Sequence, residues 1–98
     1  MVVAAAPPPN TRAGRMHAVL MRGLSPAQLT IEDESARHAG HSGAQPGGET
    51  HYKIFAVSEE FTCLNRVERS RYVHLALKNE FQDGLHALSL TLRSPSEV

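Results

Sequence analysis

The chain has 98 residues, enough for one small domain, and its 41% hydrophobic and 20% charged residues are ordinary for a folded protein. Ten basic and ten acidic side chains cancel, which argues against general binding to nucleic acid or membranes, and no apolar run approaches the ~20 residues that a membrane span needs. The single cysteine, Cys63, excludes an intrachain disulfide framework and a multi-cysteine zinc site, and it favours a reducing compartment.

The N-terminal segment, residues 1–10, is expected to form a disordered tail because its proline run cannot pack as a helix interior. A trimmed transit peptide is the alternative interpretation, since the segment is rich in alanine and free of acids. Residues 11–23 carry apolar side chains at helical spacing, with Asn10 or Thr11 as the possible N-cap. We expect this helix to end before Pro26, because the residue that precedes a proline avoids helical geometry.

Two strands are predicted next, on either side of a long loop. Leu29 and Ile31 alternate with polar residues, which predicts a short strand with one buried face. Residues 36–49 form a loop of a length that is usually functional or disordered. Residues 51–57 carry apolar groups on both faces and are therefore predicted as a central strand, followed by a short helical turn that ends near Phe61.

The strongest helical pattern covers residues 65–82. Asn65 can cap this helix, with Glu68 in the capping-box position, and Gly84 supplies the stop. Residues 86–93 alternate as a last strand. The order helix, strand, strand, short helix, long helix, strand (αββααβ) predicts an α+β two-layer sandwich over residues 11–95. It would have a three-stranded sheet with helices on one face, and residues 96–98 would fray.

Four segments carry a family resemblance. "LTIEDESARHAGH", "GGETHYKIFAVSEEF" and "GLHALSL" resemble the BolA family in order and spacing, and "RVERSRYVHLALKNEF" occupies the position of that family's long helix. The match covers about residues 24–95. The resemblance implies a fold like the type II KH domain, which agrees with the predicted element order. This chain has no cysteine in the loop between the first two strands, so it resembles the histidine-loop subgroup.

The resemblance also implies a non-enzymatic adaptor. BolA-like proteins pair with monothiol glutaredoxins and share a bridging [2Fe–2S] cluster with the glutaredoxin and glutathione. This pairing serves iron–sulfur cluster assembly and delivery, or iron and redox regulation. The family has also been linked to transcription regulation. The expected location is a reducing intracellular compartment, cytoplasmic or mitochondrial, with no membrane partner.

The candidate metal ligands are histidines, because imidazole nitrogens can replace two of the four thiolates that hold a [2Fe–2S] cluster. His38 and His41 lie in the glycine-rich loop and His86 opens the last strand. The resemblance implies that these two places lie near one another, so we expect His86 and one loop histidine to act as ligands. The alternatives are that His38 is a solvated loop residue and that His86 is a hydrogen-bonded residue at the core edge. His51 is expected to pin the loop by hydrogen bonding.

The rival interpretation is a nucleic-acid-binding regulator that uses Arg66, Arg69 and Arg71 near the start of the long helix. Two features argue against it: the turn reads "TCLN" where KH domains carry a GXXG loop, and the neutral net charge predicts weak, salt-sensitive binding.

An enzyme is disfavoured, because the sequence contains no phosphate loop, nucleophile elbow or zinc-hydrolase motif. Glu32, Asp33 and Glu34 point to alternate faces of a strand, so they are interpreted as a solvated charge run and not as a carboxylate site. Cys63 lies near a helix N-terminus, which can lower a thiol pKa, but a structural cysteine is the favoured interpretation.

Overall fold

The computed structural model describes residues 6–35 and 48–98. The predicted loop ligands His38 and His41, and residues 1–5 of the predicted tail, lie outside the described residues. In chain order the elements are α1 (Arg12–Leu24), β1 (Gln28–Asp33), β2 (His51–Val57), a 3₁₀ turn (Glu59–Phe61), α2 (Arg66–Ala76), α3 (Lys78–Gln82), β3 (Ala87–Arg93) and a final 3₁₀ turn (Pro95–Glu97). Within these ranges, no helix has both the length and the apolar character needed to cross a membrane.

The described strands form a 3-stranded sheet in the order β1-β2-β3. β1 runs antiparallel to β2, and β3 runs parallel to it, so β2 is the central strand, as predicted. Directly paired residues share a face of the sheet, which places Ile31, Ile54 and Leu90 in one row. The apolar residues of the sheet pack against the helices in one hydrophobic core. The predicted α+β class is confirmed.

Helix α1 forms one wall of that core. Thr11 is its N-cap and accepts a hydrogen bond from the Gly14 amide at 3.0 Å, which decides between the two predicted caps. Met16, Leu20 and Leu24 recur every fourth residue and are buried against the sheet. Each such side chain contributes roughly 1.5–3 kcal/mol when it leaves water.

The predicted long helix is interrupted. Its capping box between Asn65 and Glu68 is present, but α2 ends after Ala76 and α3 begins at Lys78. The intervening Leu77 has φ −103° and ψ 16°, and its side chain is buried in the core. The prediction of one continuous helix is therefore wrong at this residue. After the break, α3 places Glu80 3.0 Å from the guanidinium of Arg12. Helical periodicity cannot predict this contact, because the two residues are far apart in the sequence.

Candidate metal centre

Two histidines meet where β2 and β3 begin. The parallel register sets His51 opposite Ala87, and His86 immediately precedes β3. The imidazole rings of His51 and His86 stack with centroids 5.9 Å apart and planes 8° apart. The amides of His86 and Ala87 both donate to the Thr50 carbonyl, at 2.8 and 3.1 Å. Pairing of the two strands thus places one imidazole beside another from a distant part of the sequence.

His86 faces outward. The preceding Leu85 is buried in the core, whereas His86 is exposed and the regular alternation of β3 starts only at Ala87. His86 is two residues before Leu88, a spacing that would put both on the same face of a regular strand. Because His86 precedes the strand, its side chain is exposed and does not enter the core. An exposed imidazole at the rim of the sheet is accessible to a metal or to a partner protein.

The loop base, which we define as Asp33, Ser35, Glu49 and Thr50, ties together the two chain segments that flank residues 36–47. The Ser35 and Glu49 amides donate to the two carboxylate oxygens of Asp33, at 2.8 and 3.2 Å. Ser35 Oγ accepts from the amides of Thr50 and His51, at 2.9 and 3.2 Å. Both ends of the histidine-bearing loop are consequently fixed next to the paired imidazoles.

Asp33 has a structural role that the interpretation as a solvated charge run did not include. Partial burial acts to raise the pKa of its carboxyl group, but hydrogen bonds from Ser35 and Glu49 outweigh this effect and lower the pKa below its usual range. Asp33 and its neighbour Glu32 are both exposed, so the two amide hydrogen bonds, and not burial, give Asp33 its role. Asp33 therefore stabilises the loop base through its two amide hydrogen bonds.

His51 is oriented through its ring nitrogen. His51 Nδ1 lies 2.9 Å from Thr50 Oγ1, which in turn lies 3.2 Å from Ser35 Oγ. This bonding agrees with the expectation that His51 pins the loop. Sequence reasoning missed its proximity to His86. The two predicted strands begin at His51 and His86. Parallel pairing of these strands from their first residues would have predicted that the two histidines lie side by side.

The described residues contain no group of three or more histidine, cysteine or acidic side chains that could hold a metal ion. His51 and His86 are brought together, whereas Cys63 lies beyond the opposite end of β2, past the 3₁₀ turn. Cys63 is exposed and in the free thiol form. The cysteine is thus remote from the paired imidazoles.

The three arginines of the nucleic-acid interpretation are not equivalent. Arg66 and Arg71 are exposed and line a groove of about 950 Å³ between α2 and β3, beside Leu88 and Leu90. Arg69 is 9% exposed. Its guanidinium donates to the carbonyls of Leu64 and Leu92 and to the carboxylate of Glu97. Arg69 therefore serves the fold. The exposed basic side chains of the groove are Arg66, Arg71 and, in addition, Arg93 at the end of β3.

A family model described as "BolA-like protein" matches residues 20–97. The chain belongs to the BolA family. Protein BOLA1, chloroplastic, of Arabidopsis thaliana is 44% identical over 90 residues, which cover 90% of this chain and 56% of that protein. Human BolA-like protein 1 is 38% identical over 78 residues, which cover 80% of this chain and 54% of that protein. This chain spans little more than half the length of these two BolA relatives.

Solved structures support the same assignment. BolA1 from Arabidopsis thaliana matches with a TM-score of 0.81 at 43% identity, covering 91% of this chain and 97% of that chain. BolA1 from Mus musculus matches with a TM-score of 0.73 at 29% identity, covering 99% of this chain and 74% of that one. The BolA fold is therefore established for this protein by both sequence and structure.

Proposed function

We propose that this BolA protein is a non-enzymatic adaptor that binds a monothiol glutaredoxin and co-ligates a bridging [2Fe–2S] cluster with it and glutathione. Its role would be in iron–sulfur cluster assembly, delivery or iron and redox regulation. The observation that carries the proposal is the exposed imidazole of His86, placed beside His51 at the base of a loop that itself bears histidines. Family membership supports the same role.

The ligand chemistry fits a shared site. A [2Fe–2S] cluster can take two imidazole nitrogens on one iron, while thiolates hold the other, so this chain needs to supply only two ligands. His86 is the first. His38 follows Ser35 by three residues and His41 by six, so the shorter connection to the loop base favours His38 as the second. The partner's cysteine and glutathione would supply the thiolates.

The test is visible circular dichroism of the protein reconstituted with a monothiol glutaredoxin, glutathione, iron and sulfide. We expect a spectrum distinct from that of the glutaredoxin homodimer with the wild type, and its loss with His86→Ala. His38→Ala and His41→Ala identify the loop ligand. His74→Ala is the matched control, because His74 is exposed on α2 and stacks on Phe81. A wild-type mixture that shows only the homodimer spectrum would contradict the proposal.

A nucleic-acid-binding regulator is the second candidate, and the groove beside Arg66 and Arg71 is the observation in its favour. The phosphate backbone would have to be bound without Arg69, whose donors already serve the protein. A gel-shift titration with DNA and RNA at several salt concentrations tests this function. Binding that falls steeply with salt and is weakened in Arg66→Ala and Arg71→Ala supports it, and absence of binding at low salt removes it.

The proposed site requires a reducing compartment, because glutathione and a cysteine thiolate complete the ligand set. A cytoplasmic or mitochondrial location meets this requirement. The relatives extend the choice, since their names include "chloroplastic" and, for SufE-like protein 1 of Arabidopsis thaliana, "chloroplastic/mitochondrial". Fractionation of cells that express the tagged protein distinguishes these compartments.

A further inference from the structure

Arg12, the first residue of α1, is a buried cation. Its side chain joins α1 to two other chain segments, the residue Glu49 before β2 and the stretch from Glu80 to Asp83 before β3. Its side chain is 9% exposed, and Nε lies 3.0 Å from Glu80 Oε1. Nη2 donates to the Asp83 carbonyl at 2.6 Å, and Nη1 donates to the Glu49 carbonyl. A guanidinium presents five N–H donors in a rigid planar fork, so a single arginine can bridge acceptors that a lysine head group cannot reach together.

Two of these segments lead directly to the paired imidazoles. Glu49 is followed by Thr50 and His51, and Asp83 lies three residues before His86. Arg12 contacts Glu49 a second time, since the Arg12 amide donates to Glu49 Oε1 at 2.8 Å. One residue therefore holds the start of β2 and the turn before β3 at a fixed separation.

The backbone has a positive φ at or next to both contact points of the guanidinium. Glu49 has φ 65°, a left-handed conformation that is uncommon for a residue with a side chain and needs support from its surroundings. Gly84 has φ 114°, and a Cβ atom there would lie 3.5 Å from Arg12 Nη2. The hydrogen bonds of Arg12 supply that support at Glu49. At position 84 the Cβ distance is an ordinary contact, so the positive φ, and not lack of space, favours glycine there.

We infer that Arg12 is a positioning residue for the candidate metal centre. By joining the Glu49 and Asp83 carbonyls it keeps His51 and His86 in register, so that His86 and the loop base present a fixed geometry to the cluster. The metal-related part of this inference rests on the proposed function. The joining of the two segments is a property of the protein without metal and is tested separately.

Arg15 provides a matched control. It binds the same carboxylate, with Nε and Nη2 each 2.9 Å from a Glu80 oxygen. Its side chain is 43% exposed, and its backbone acceptor is the Asn10 carbonyl, at 3.5 Å, not Glu49 or Asp83. Arg15 Nη2 also lies 3.8 Å from the exposed carboxylate of Asp83. Loss of Arg15 therefore removes carboxylate contacts to Glu80 and Asp83, but it leaves in place the Arg12 hydrogen bonds to the Glu49 and Asp83 carbonyls that join the two segments.

Amide hydrogen exchange of the metal-free protein tests the joining role. In Arg12→Ala we expect the amides of His86 and Ala87, which bond to Thr50, to exchange at least about tenfold faster than in the wild type. The Ser58 amide, bonded to Arg93 at the other end of the same strand pair, should not change, and Arg15→Ala should leave all three as in the wild type. Equal acceleration of all three amides, or of none, overturns the inference.

Arg12→Lys keeps the test decisive if Arg12→Ala does not fold. Lysine retains the positive charge beside Glu80 but lacks the fork that reaches both carbonyls. We expect it to accelerate exchange of the His86 and Ala87 amides selectively, as Arg12→Ala does. Wild-type exchange in Arg12→Lys would show that charge alone is sufficient, which also overturns the inference.

The metal-related part is tested with the reconstituted glutaredoxin complex. Transfer of the cluster to a chelator should be several-fold faster with Arg12→Lys than with the wild type or Arg15→Ala. If the exchange result is as expected but the transfer rate is unchanged, Arg12 does not position the cluster ligands and the inference fails. If the wild type forms no cluster-dependent complex, the proposed function fails, while the exchange measurement still decides whether Arg12 joins the two segments.

Discussion

Glu97 and Arg69 form a two-pronged ion pair, with Oε1 2.6 Å from Nη1 and Oε2 3.2 Å from Nη2. The guanidinium also lies over the Phe61 ring, 5.8 Å from its centroid, and donates to the carbonyls of Leu64 and Leu92. The final 3₁₀ turn is thereby attached to the start of α2 and to the end of β3. Glu97, in the segment expected to fray, is an anchor of the C-terminus.

This pair predicts a pH-dependent stability. The Arg69 guanidinium, with a hydrogen bond from Ser94, lowers the pKa of Glu97 from 4.5 to about 2. Because the folded-state pKa is depressed, the contribution is present above the ordinary pKa and is lost as the pH falls from about 4.5 towards 2. We expect Glu97→Gln to lower the free energy of unfolding at neutral pH and to match the wild type near pH 2.

Urea denaturation across this pH range measures the effect of Glu97→Gln. Glu59→Gln is the control, since Glu59 is exposed in the other 3₁₀ turn. A difference between wild type and Glu97→Gln that stays constant down to pH 2 would mean that the ion pair does not cause the stabilisation.

Removal of Arg69 should be far more damaging than removal of its exposed neighbours. Arg69→Ala leaves the Leu64 and Leu92 carbonyls and the Glu97 carboxylate without this donor, at a cost of about 2–4 kcal/mol. Arg66→Ala and Arg71→Ala alter exposed side chains and should change stability by less than about 0.5 kcal/mol. Chemical denaturation followed by far-ultraviolet circular dichroism checks this ranking, and three equal effects would contradict it.

Two glycines of α1 should respond oppositely to alanine. At Gly14 a Cβ would collide with the backbone of Pro8 and Pro9, so Gly14→Ala must displace the chain that caps the helix, costing roughly 1–3 kcal/mol. At Gly23 the collision is with the hydroxyl end of the Tyr72 side chain, which can move, and alanine gains up to about 1 kcal/mol of helix propensity.

The measurement for this pair is the thermal midpoint of each variant. Gly14→Ala is expected to melt below the wild type and Gly23→Ala at or above it. The reverse order would show that helix propensity, and not the approach of the Pro8 backbone, decides the outcome at residue 14.

Local patterns were sufficient to predict most elements. Alternation predicted β2 with the observed bounds His51–Val57, and the capping box placed the start of α2 because both of its residues lie within one turn. The break at Leu77 was not predictable in this way, since the apolar face continues to Phe81. Glu80, which follows the break, pairs with Arg12 in a helix near the other end of the sequence.

The site was predictable to a smaller extent. Resemblance and loop composition predicted His86 and the loop histidines as candidate ligands, and that stays a prediction. The contact of His86 with His51 could not be predicted in this way, because it depends on strand register. Arg12 and Arg69 gave no signal, because a buried arginine is recognised only when its acceptors are known. Half of those acceptors are backbone carbonyls, which are the same in every sequence, and the others are carboxylates far away along the chain.

Ser35 is the residue whose loss should loosen the loop base most directly. Its hydroxyl accepts from the amides of Thr50 and His51, and both Ser35 and Thr50 are buried. Ser35→Ala leaves these amides without their acceptor, and an unsatisfied buried amide costs about 1–3 kcal/mol. We expect Ser35→Ala to lower stability by this amount and to accelerate exchange of the Thr50 and His51 amides.

Ser89→Ala is the matched control for Ser35→Ala, because Ser89 is an exposed serine of β3. Urea denaturation and amide exchange should separate the two variants clearly. Since Ser35 and Asp33 bond to the same flank of the loop, the Ser35→Ala effect should also be smaller in a protein that already carries Asp33→Asn. Full additivity of the two substitutions would indicate that the loop base does not act as one hydrogen-bonded unit beside His51 and His86.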